Sequence, residues 1–201
     1  TGKTTTVFKI LLLLIEHHQQ FYPKEPLRIM LAAPTGKAAA RLTESINQQR
    51  AHYLATEAIS ESLLSFIPEE SLTLHRLLQL HPNKRTARFS SDEPLPVDLL
   101  VVDEASMVDL YLFSLVVDAL PKGARVLFLG DRDQLSSVEA GAVLHELCQT
   151  TLLGNKVVYS LENHKQIQRL TGYNLQRENV AFYPDYLSVL VKSYRFEKRE
   201  Y

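Results

Sequence analysis

The sequence predicts an α/β fold in which a parallel β-sheet is sandwiched by helices. Three short, nearly continuous apolar segments predict buried strands at 27–33, 97–102 and 125–129. Each predicted strand is closed by a polar turn, Pro-Thr-Gly, Asp-Glu or Gly-Asp. Helix-like segments lie around them, at 4–19, 37–47, 73–80, 107–120 and 141–150. Strands that alternate with helices are typical of a doubly wound layer fold.

The composition excludes several classes of protein. The chain has 201 residues, enough for one large domain, and its 45% hydrophobic and 22% charged residues match an average folded protein rather than a disordered one. Its formal net charge is -1, so any nucleic-acid binding requires a local basic patch. The single cysteine, Cys148, excludes an internal disulfide and a cysteine metal cluster and favours a reducing, cytoplasmic location.

Three segments are less informative. The apolar segment 7–15 contains Lys9 and is far shorter than the about 20 residues needed to span a bilayer. Glu16-His17-His18 follow it where a signal peptide needs small residues, so we predict a buried helix and no membrane association. Segments 82–96 and 163–184 are predicted to be loops or small additions, and the first is either a solvated basic loop or a phosphate contact.

The first residues, Thr1-Gly2-Lys3-Thr4, match the end of the phosphate-binding pattern G-x-x-x-x-G-K-[ST]. In the complete pattern, backbone N–H groups and the positive end of the following helix hold the phosphates. The lysine adds a charge, and the Thr hydroxyl binds Mg²⁺. The leading glycine would precede Thr1, so a chance Gly-Lys-Thr at a helix start is the alternative.

Two carboxylates, Asp103 and Glu104, follow the predicted strand 97–102. If the extended conformation persisted through both residues, their side chains would point to opposite sides. The Asp can hold Mg²⁺ through water, and the Glu can orient or deprotonate an attacking water. Alternatively, both residues cap a helix that begins near Met107, a role that Asp109 could share. The upstream Gly-Lys-Thr favours the chemical interpretation.

The third predicted strand ends at Gly130-Asp131-Arg132-Asp133-Gln134, so polar residues follow all three strands, where open α/β sheets bind ligands. The Gln134 amide can donate to a γ-phosphate oxygen and accept from the attacking water. A solvated polar turn is the alternative.

Two further turns carry phosphate-binding chemistry. Pro34-Thr35-Gly36-Lys37 follows the predicted strand 27–33, and a nucleic-acid backbone suits it better than a second nucleotide does. Thr73-Leu74-His75-Arg76 begins a short helix with a hydroxyl, an imidazole and a guanidinium. A plain N-cap with solvated charges is the alternative for the second turn.

In their order along the chain, these segments resemble the helicase motifs of the RecD family, superfamily 1 motors that belong to exodeoxyribonuclease V (RecBCD). The matching segments are 1–4, 33–42, 73–78, 101–107, 129–135 and Ser193-Tyr194-Arg195-Phe196. The resemblance covers nearly the whole chain. It implies a RecA-like P-loop NTPase domain at 1–187, truncated inside the phosphate loop, and the start of a second motor domain at 188–201.

The resemblance also implies roles for individual residues. The ATP-binding residues would be Thr1, Gly2, Lys3, Thr4 and Thr5. Thr4 and Asp103 would contact Mg²⁺, and Glu104 would act on the water. Gln134 would sense the γ-phosphate, and Arg195 would be an arginine finger unless it is an ordinary surface charge. The residues toward single-stranded DNA would be Pro34, Thr35, Gly36, Lys37, Thr73, His75 and Arg76.

The implied activity is ATP-dependent 5′-to-3′ translocation on single-stranded DNA. It would act on double-stranded DNA ends during repair and recombination, together with RecB-like and RecC-like subunits. The family's N-terminal domain and later motifs are missing from this chain, so we expect weak or no ATP hydrolysis by the chain alone. A small-substrate P-loop kinase and a non-catalytic assembly module with a degenerate site are the two competing interpretations.

Overall fold

The computed structural model describes residues 2–56, 59–81, 86–131, 142–149, 152–153, 156–174 and 185–190. Its main sheet contains four strands, β1 (Ile29–Ala33), β2 (Leu72–Thr73), β3 (Leu99–Val102) and β4 (Arg125–Phe128). Their order across the sheet is β2-β1-β3-β4, and every neighbouring pair is parallel. The chain therefore moves outward from β1 to one side and then from β3 to the other, which confirms a doubly wound α/β sheet.

Helices α1 (Lys3–Phe21) and α2 (Gly36–Ala55) pack together against one face of this sheet. The short helices α3 (Glu61–Leu64) and α4 (Leu74–Leu77) follow. All four belong to one compact unit, Gly2–Val143. Its core cluster unites apolar residues of three helices and two strands: Val7, Phe8, Leu11, Leu12, Ile15, Ile29, Leu31, Leu42, Ile46, Leu64, Ile67, Leu99 and Val101.

Helix α5 (Leu110–Asp118) packs on the opposite face of the sheet. Phe113 of α5 lies 5.2 Å from the ring of Phe128, and Phe128 pairs with Val102 in the sheet. Side chains alternate along β3, so Val102 points away from the face that carries Leu99 and Val101. The sheet is therefore covered by helices on both faces, as the sequence predicts.

A second compact unit comprises Leu144–Tyr201. Helix α6 (Ala142–Gln149) leads into it, and β5 (Leu152–Leu153) pairs antiparallel with β6 (Lys156–Val157) before α7 (Leu161–Thr171). The Ser160 hydroxyl caps α7 by accepting from the Asn163 amide at 3.2 Å. The Asp185 carboxylate accepts from the Ser160 amide at 2.8 Å, and hydrogen bonding by Ser160 lowers the pKa of Asp185. The division into domains at 187/188 stays a prediction.

Most of the predicted elements are present, but their lengths differ. The three long strands agree within two residues, whereas the helix predicted at 37–47 extends to Ala55 and that predicted at 73–80 contracts to α4. Of the two alternatives for 163–184, loops or small additions, the first part contains a helix, because α7 reaches Thr171, and 175–184 lie outside the described residues. On α7 only His164 is buried, so the apolar side chains of this helix remain at least partly exposed. Its caps, Ser160 and Gly172, were the available signal.

Residues 86–96 contain no helix or strand, which confirms the loop predicted there, while 82–85 lie outside the described residues. Within the described part of the chain, every helix is too short or too polar to cross a bilayer.

An ion pair closes the amino edge of the sheet. The Arg28 side chain donates to the Asp98 carboxylate through Nε at 3.0 Å and Nη2 at 2.7 Å, and the Arg28 amide donates to it at 2.8 Å. The Asp98 amide in turn donates to the Arg28 carbonyl at 2.8 Å. Hydrogen bonding by Arg28 lowers the pKa of Asp98, and the same contact raises the pKa of Arg28. These contacts join the starts of β1 and β3.

Replacing Asp98 with Asn should lower the free energy of unfolding by about 1 kcal/mol, because the lost charge-assisted bonds are partly exposed. The pKa of Asp98 lies below its ordinary value of 3.8. The stabilisation is therefore complete above that value and disappears as the pH falls through the folded-state pKa. Urea denaturation should separate the two proteins near pH 7 and bring them together at about pH 2. Equal midpoints near pH 7 would contradict this.

Candidate functional site

The carboxyl ends of the four strands form one edge of the sheet, and the predicted residues of the turns at Pro34, Thr73 and Asp103 follow these ends. Ala33 pairs with Thr73, Ala32 with Val102, and Val102 with Phe128. The turns that follow the strands are therefore level with one another. Neighbouring strands are separated by about 4.8 Å, so the row of four turns spans about 15 Å.

From β1 the chain adds β2 on one side of the sheet, and from β3 it adds β4 on the other side. In open α/β sheets the ligand-binding crevice lies where the strand order reverses in this way, here between β1 and β3. The turn beginning at Pro34 and the pair Asp103-Glu104 lie on the two sides of this point. The predicted nucleic-acid residues occupy the β1 and β2 side, and the carboxylates occupy the β3 side. The topology therefore places two sets of polar residues with different chemistry next to each other.

Helix α1 begins with backbone groups that its own side chains do not cap. Gly2 is the N-cap residue and has a φ of 77°, a left-handed conformation that glycine adopts without a steric penalty. No side chain caps this end of the helix among the described residues. Lys3 and Thr4 are half-buried and Thr5 is exposed. The first turn of α1 therefore retains the free N–H groups and the positive dipole end that suit an anion.

The other end of α1 identifies the edge from which the helix starts. His18 lies in its last turn, contacts the Glu25 carbonyl at 2.9 Å and contributes to the lowered pKa of Asp98 at the amino edge. Because α1 packs along the sheet and ends near the amino edge, its first turn lies toward the carboxyl edge. Lys3 and Asp103 thus belong to the same end of the unit.

Thr6 is a positioning residue that the sequence reasoning did not single out. Its hydroxyl donates to the Gly2 carbonyl at 2.9 Å, and its amide donates to the same carbonyl at 3.0 Å. The doubled contact holds Gly2 in the conformation that starts the helix. The available signal was the spacing of four residues, which brings a helical hydroxyl to a preceding carbonyl.

The backbone turns sharply between the two carboxylates. Asp103 follows directly after β3. Its amide donates to the Ala32 carbonyl at 2.9 Å, and its Oδ1 accepts from the Glu104 amide at 2.9 Å. Glu104 has a φ of 51°, so the extended conformation stops at Asp103, and the alternation considered for two extended residues does not apply. A non-glycine residue in this region is strained by about 1–2 kcal/mol, and such strain is common at functional sites.

The Glu104 carboxylate is not a helix cap. Asp109 caps α5, because its Oδ1 accepts from the Leu112 amide at 2.6 Å. The Glu104 side chain makes no capping bond to the 3₁₀ turn Ala105–Met107. The Ala105 amide donates to the Leu129 carbonyl at 2.7 Å, which ties the turn to the end of β4. The structure thus assigns the capping role considered for Asp103 and Glu104 to Asp109.

The turn after β1 is shaped by a hydroxyl cap. The Thr35 hydroxyl accepts from the Ala38 amide at 3.2 Å and retains its own proton to donate. Pro34 is half-buried, while Thr35, Gly36 and Lys37 are exposed. A Cβ added at Gly36 would meet nothing within 4 Å. The fold of the described residues therefore does not require glycine here, whereas a ligand approaching the backbone closely would.

The turn after β2 repeats this design. The Thr73 hydroxyl accepts from the Arg76 amide at 3.2 Å, so the N-cap role considered as an alternative is present. The hydroxyl keeps a proton that can be donated to a phosphate oxygen. His75 and Arg76 are exposed. Arg76 also borders a cleft of about 310 Å³ that reaches Ile29 at the start of β1.

Three predicted site residues, Thr1, Gln134 and Arg195, lie outside the described residues. Asp131, which precedes Gln134, is exposed at the end of the β4 turn. Within the described ranges, no three His, Cys, Asp or Glu residues group as metal ligands. Mg²⁺ usually takes one or two carboxylates together with waters and substrate phosphates. The half-buried Asp103, with one oxygen engaged by an amide, fits that demand.

A family model described as an AAA domain matches residues 1–140. The chain belongs to this AAA domain family. The matched range contains all the predicted nucleotide and nucleic-acid residues except Arg195. The chain therefore carries the family's sequence pattern over the same segment that forms the parallel sheet and its row of turns.

The relatives confirm the resemblance to RecD. This AAA domain is 41% identical over 199 residues to the RecBCD enzyme subunit RecD of Haemophilus influenzae, covering 98% of the chain and 30% of that relative. Identity to RecD of Mycobacterium tuberculosis is 47% over 149 residues, 73% of the chain and 24% of the relative. The ATP-dependent RecD2 DNA helicase of Deinococcus radiodurans is 40% identical over 123 residues, which cover 61% of the chain and 14% of that relative. The chain spans less than a third of the length of these relatives.

Replacing Gly36 with Ala tests whether a ligand explains the glycine. The added methyl group meets open space, and alanine favours helices, so the melting temperature should be unchanged or slightly raised. Affinity for single-stranded DNA in the full-length protein should fall, because the methyl group separates the Gly36 amide from a phosphate. Fluorescence anisotropy with a labelled oligonucleotide measures this. Unchanged affinity would show that no DNA backbone approaches Gly36.

Proposed function

We propose that this chain is a nucleotide-hydrolysing motor domain of a RecD-type DNA helicase. Its task is to couple ATP hydrolysis to movement along single-stranded DNA. The proposal rests on the AAA domain match, on the identity to RecD proteins and on the row of polar turns at the carboxyl edge. Because the chain spans less than a third of its relatives, the activity belongs to the full-length protein.

One observation carries the proposal. Glu104 is held in a strained left-handed conformation at the end of a fully buried strand, and a different residue, Asp109, caps the helix that follows. Because Asp109 takes the capping role, the Glu104 carboxylate remains available for chemistry. A carboxylate kept half-buried in the crevice suits a group that orients water and accepts its proton.

In this mechanism each of the predicted nucleotide-site residues has a chemical role. The amides of the first turn of α1 and the Lys3 ammonium hold the phosphates of ATP. Thr4 and Asp103 are the residues that would hold Mg²⁺, which neutralises charge on the phosphates when it is bound. Glu104 orients the attacking water and accepts a proton at its carboxylate. Gln134 and Arg195 are proposed as the γ-phosphate sensor and the arginine finger.

The β1 and β2 turns would bind the DNA backbone. The exposed Thr35–Lys37 turn, the half-buried Thr73 and the exposed His75 and Arg76 offer hydroxyls, amides and cations, which position phosphates without reading bases. They stand beside the carboxylates along the same edge, so closure of a neighbouring domain on ATP can be transmitted to the bound strand. Sequence-independent binding is what a translocating enzyme requires.

Finer features of the proposal come from the relatives. We propose 5′-to-3′ movement, a role in double-strand-break repair and recombination, and a cytoplasmic complex with RecB-like and RecC-like subunits of exodeoxyribonuclease V. They are supported by the names of the Haemophilus influenzae and Mycobacterium tuberculosis relatives, which are RecBCD enzyme subunits, and by the motif resemblance. Strand displacement on substrates with a single 5′ or 3′ tail tests the direction.

DNA dependence separates this proposal from a small-substrate P-loop kinase. A translocating motor hydrolyses ATP faster when single-stranded DNA is present, and a kinase does not. The measurement is ATP turnover by the full-length protein with and without an oligonucleotide. Turnover that is indifferent to DNA would contradict the motor proposal.

Replacing Glu104 with Gln in the full-length protein should reduce ATP turnover roughly a hundred- to ten-thousandfold, because the amide cannot accept a proton from water. ATP binding should persist, since the amides of α1 and Lys3 are unchanged. Turnover is followed by phosphate release, and binding by a fluorescent ATP analogue. Glu16→Gln, an exposed carboxylate in the second half of α1, is the matched control and should retain turnover. Unimpaired turnover in Glu104→Gln would contradict the role proposed for Glu104, and absence of turnover in the unmodified protein would instead favour a non-catalytic assembly module.

A further inference from the structure

A set of polar contacts joins one face of α2 to the segment that leads into β2, and we name it the α2 ladder. Its members on the helix are the Ala39 carbonyl, Thr43, Asn47 and Arg50, which recur every three or four residues and so share one face. Its members on the other side lie between Ile67 and Ser71. These groups are 17 to 32 residues apart in sequence.

The contacts at Ser71 form a closed set. The Ser71 amide donates to Thr43 Oγ1 at 3.0 Å, and the Ser71 hydroxyl donates to the Ala39 carbonyl at 2.5 Å. The single hydroxyl proton of Ser71 is already donated to the Ala39 carbonyl. The Thr43 hydroxyl is therefore the donor in its 2.9 Å contact with Ser71 Oγ. Each hydroxyl proton has an acceptor, and both residues are half-buried.

The rest of the ladder continues toward the end of α2. Asn47 Nδ2 donates to the Glu69 carbonyl at 3.2 Å. Arg50 Nη1 contacts Glu69 Oε1 at 2.6 Å, and Arg50 Nη2 donates to the Ile67 carbonyl. The Arg50 side chain is 15% exposed and that of Glu69 is 78% exposed, so the bond from Arg50 to the Ile67 carbonyl is the better shielded of the two that Arg50 makes. Three successive turns of α2 thus hold the backbone that enters β2.

The ladder matters because β2 itself is so short. It has two residues, and it pairs with β1 only at Ala32↔Leu72 and Ala33↔Thr73. Ser71 immediately precedes this strand, and Thr73, its last residue, is the N-cap of α4. Buried Leu74 and Leu77 attach α4 to the core, but apolar packing is not directional. Directional bonds to Ser71 fix how far the strand advances along β1.

We propose that the α2 ladder is a positioning device that sets the Thr73–Arg76 turn against the Thr35–Lys37 turn. The turn at Thr35 begins α2, and the ladder on the same helix fixes the entry to the turn at Thr73. One rigid helix therefore determines the spacing of two phosphate-binding turns. Thr43 and Arg50 act through these turns and touch neither the DNA nor the nucleotide. The inference rests on the proposed DNA-binding function.

The test replaces Thr43 in the full-length protein. Thr43→Val keeps the shape and removes the hydroxyl, and Thr43→Ser keeps the hydroxyl. The single-stranded DNA concentration that half-maximally stimulates ATP turnover should rise roughly three- to tenfold in Thr43→Val, because the variant loses both hydrogen bonds that Thr43 makes to Ser71. Thr43→Ser should restore the value of the original protein. The KM for ATP and the turnover without DNA should not change in either variant.

Asp98→Asn is the matched control, because it weakens contacts of comparable strength at the amino edge, away from the turns. Melting temperatures of all variants are measured in parallel. A rise in the half-stimulating DNA concentration in Thr43→Val, absent from Asp98→Asn and reversed in Thr43→Ser, supports the inference. Equal DNA responses in Thr43→Val and Asp98→Asn would overturn it and leave the motor proposal intact. Absence of DNA stimulation in the unmodified protein would overturn both.

Discussion

The parallel pairing of β1 with β3 is the constraint on which the rest of the unit depends. It runs without interruption from Ile29↔Leu99 to Ala32↔Val102, and a backbone bond from Asp103 to Ala32 extends it by one step. Both strands are buried on both faces, so a shift by one residue would reverse the direction of every side chain. The register therefore fixes the height of Asp103 relative to the turn that follows Ala33.

The same constraint explains why chemistry collects at one edge. At the amino edge, the charges of Arg28 and Asp98 are paired with each other. At the carboxyl edge, the Thr35 and Thr73 hydroxyls cap helices and keep a proton that they can donate. A side chain at Gly36 would meet open space, and the backbone of Glu104 has a strained conformation. The Arg28–Asp98 pair at the amino edge thus uses its charges internally, whereas groups at the carboxyl edge still have hydrogen-bonding capacity.

Much of this arrangement could be predicted from the sequence. Continuous apolar segments marked β1, β3 and β4, because strands buried on both faces need them. β2 could not be found in this way, because two residues carry no periodic pattern and the strand is held through a contact between the adjacent Ser71 and the distant Thr43. The left-handed Glu104 was equally invisible, since a carboxylate after a strand is ordinary in sequence. The capping role of Asp109 could be anticipated, but which of three acidic residues would take it depended on the geometry of the turn.

The outer side of β4 has a different consequence. Within the described ranges, β4 is paired only with β3, and Val126, Leu127 and Phe128 are half-buried. A strand at the margin of a sheet presents a row of amide and carbonyl groups that can template pairing with another polypeptide. A recombinant product limited to these residues would be prone to self-association and precipitation.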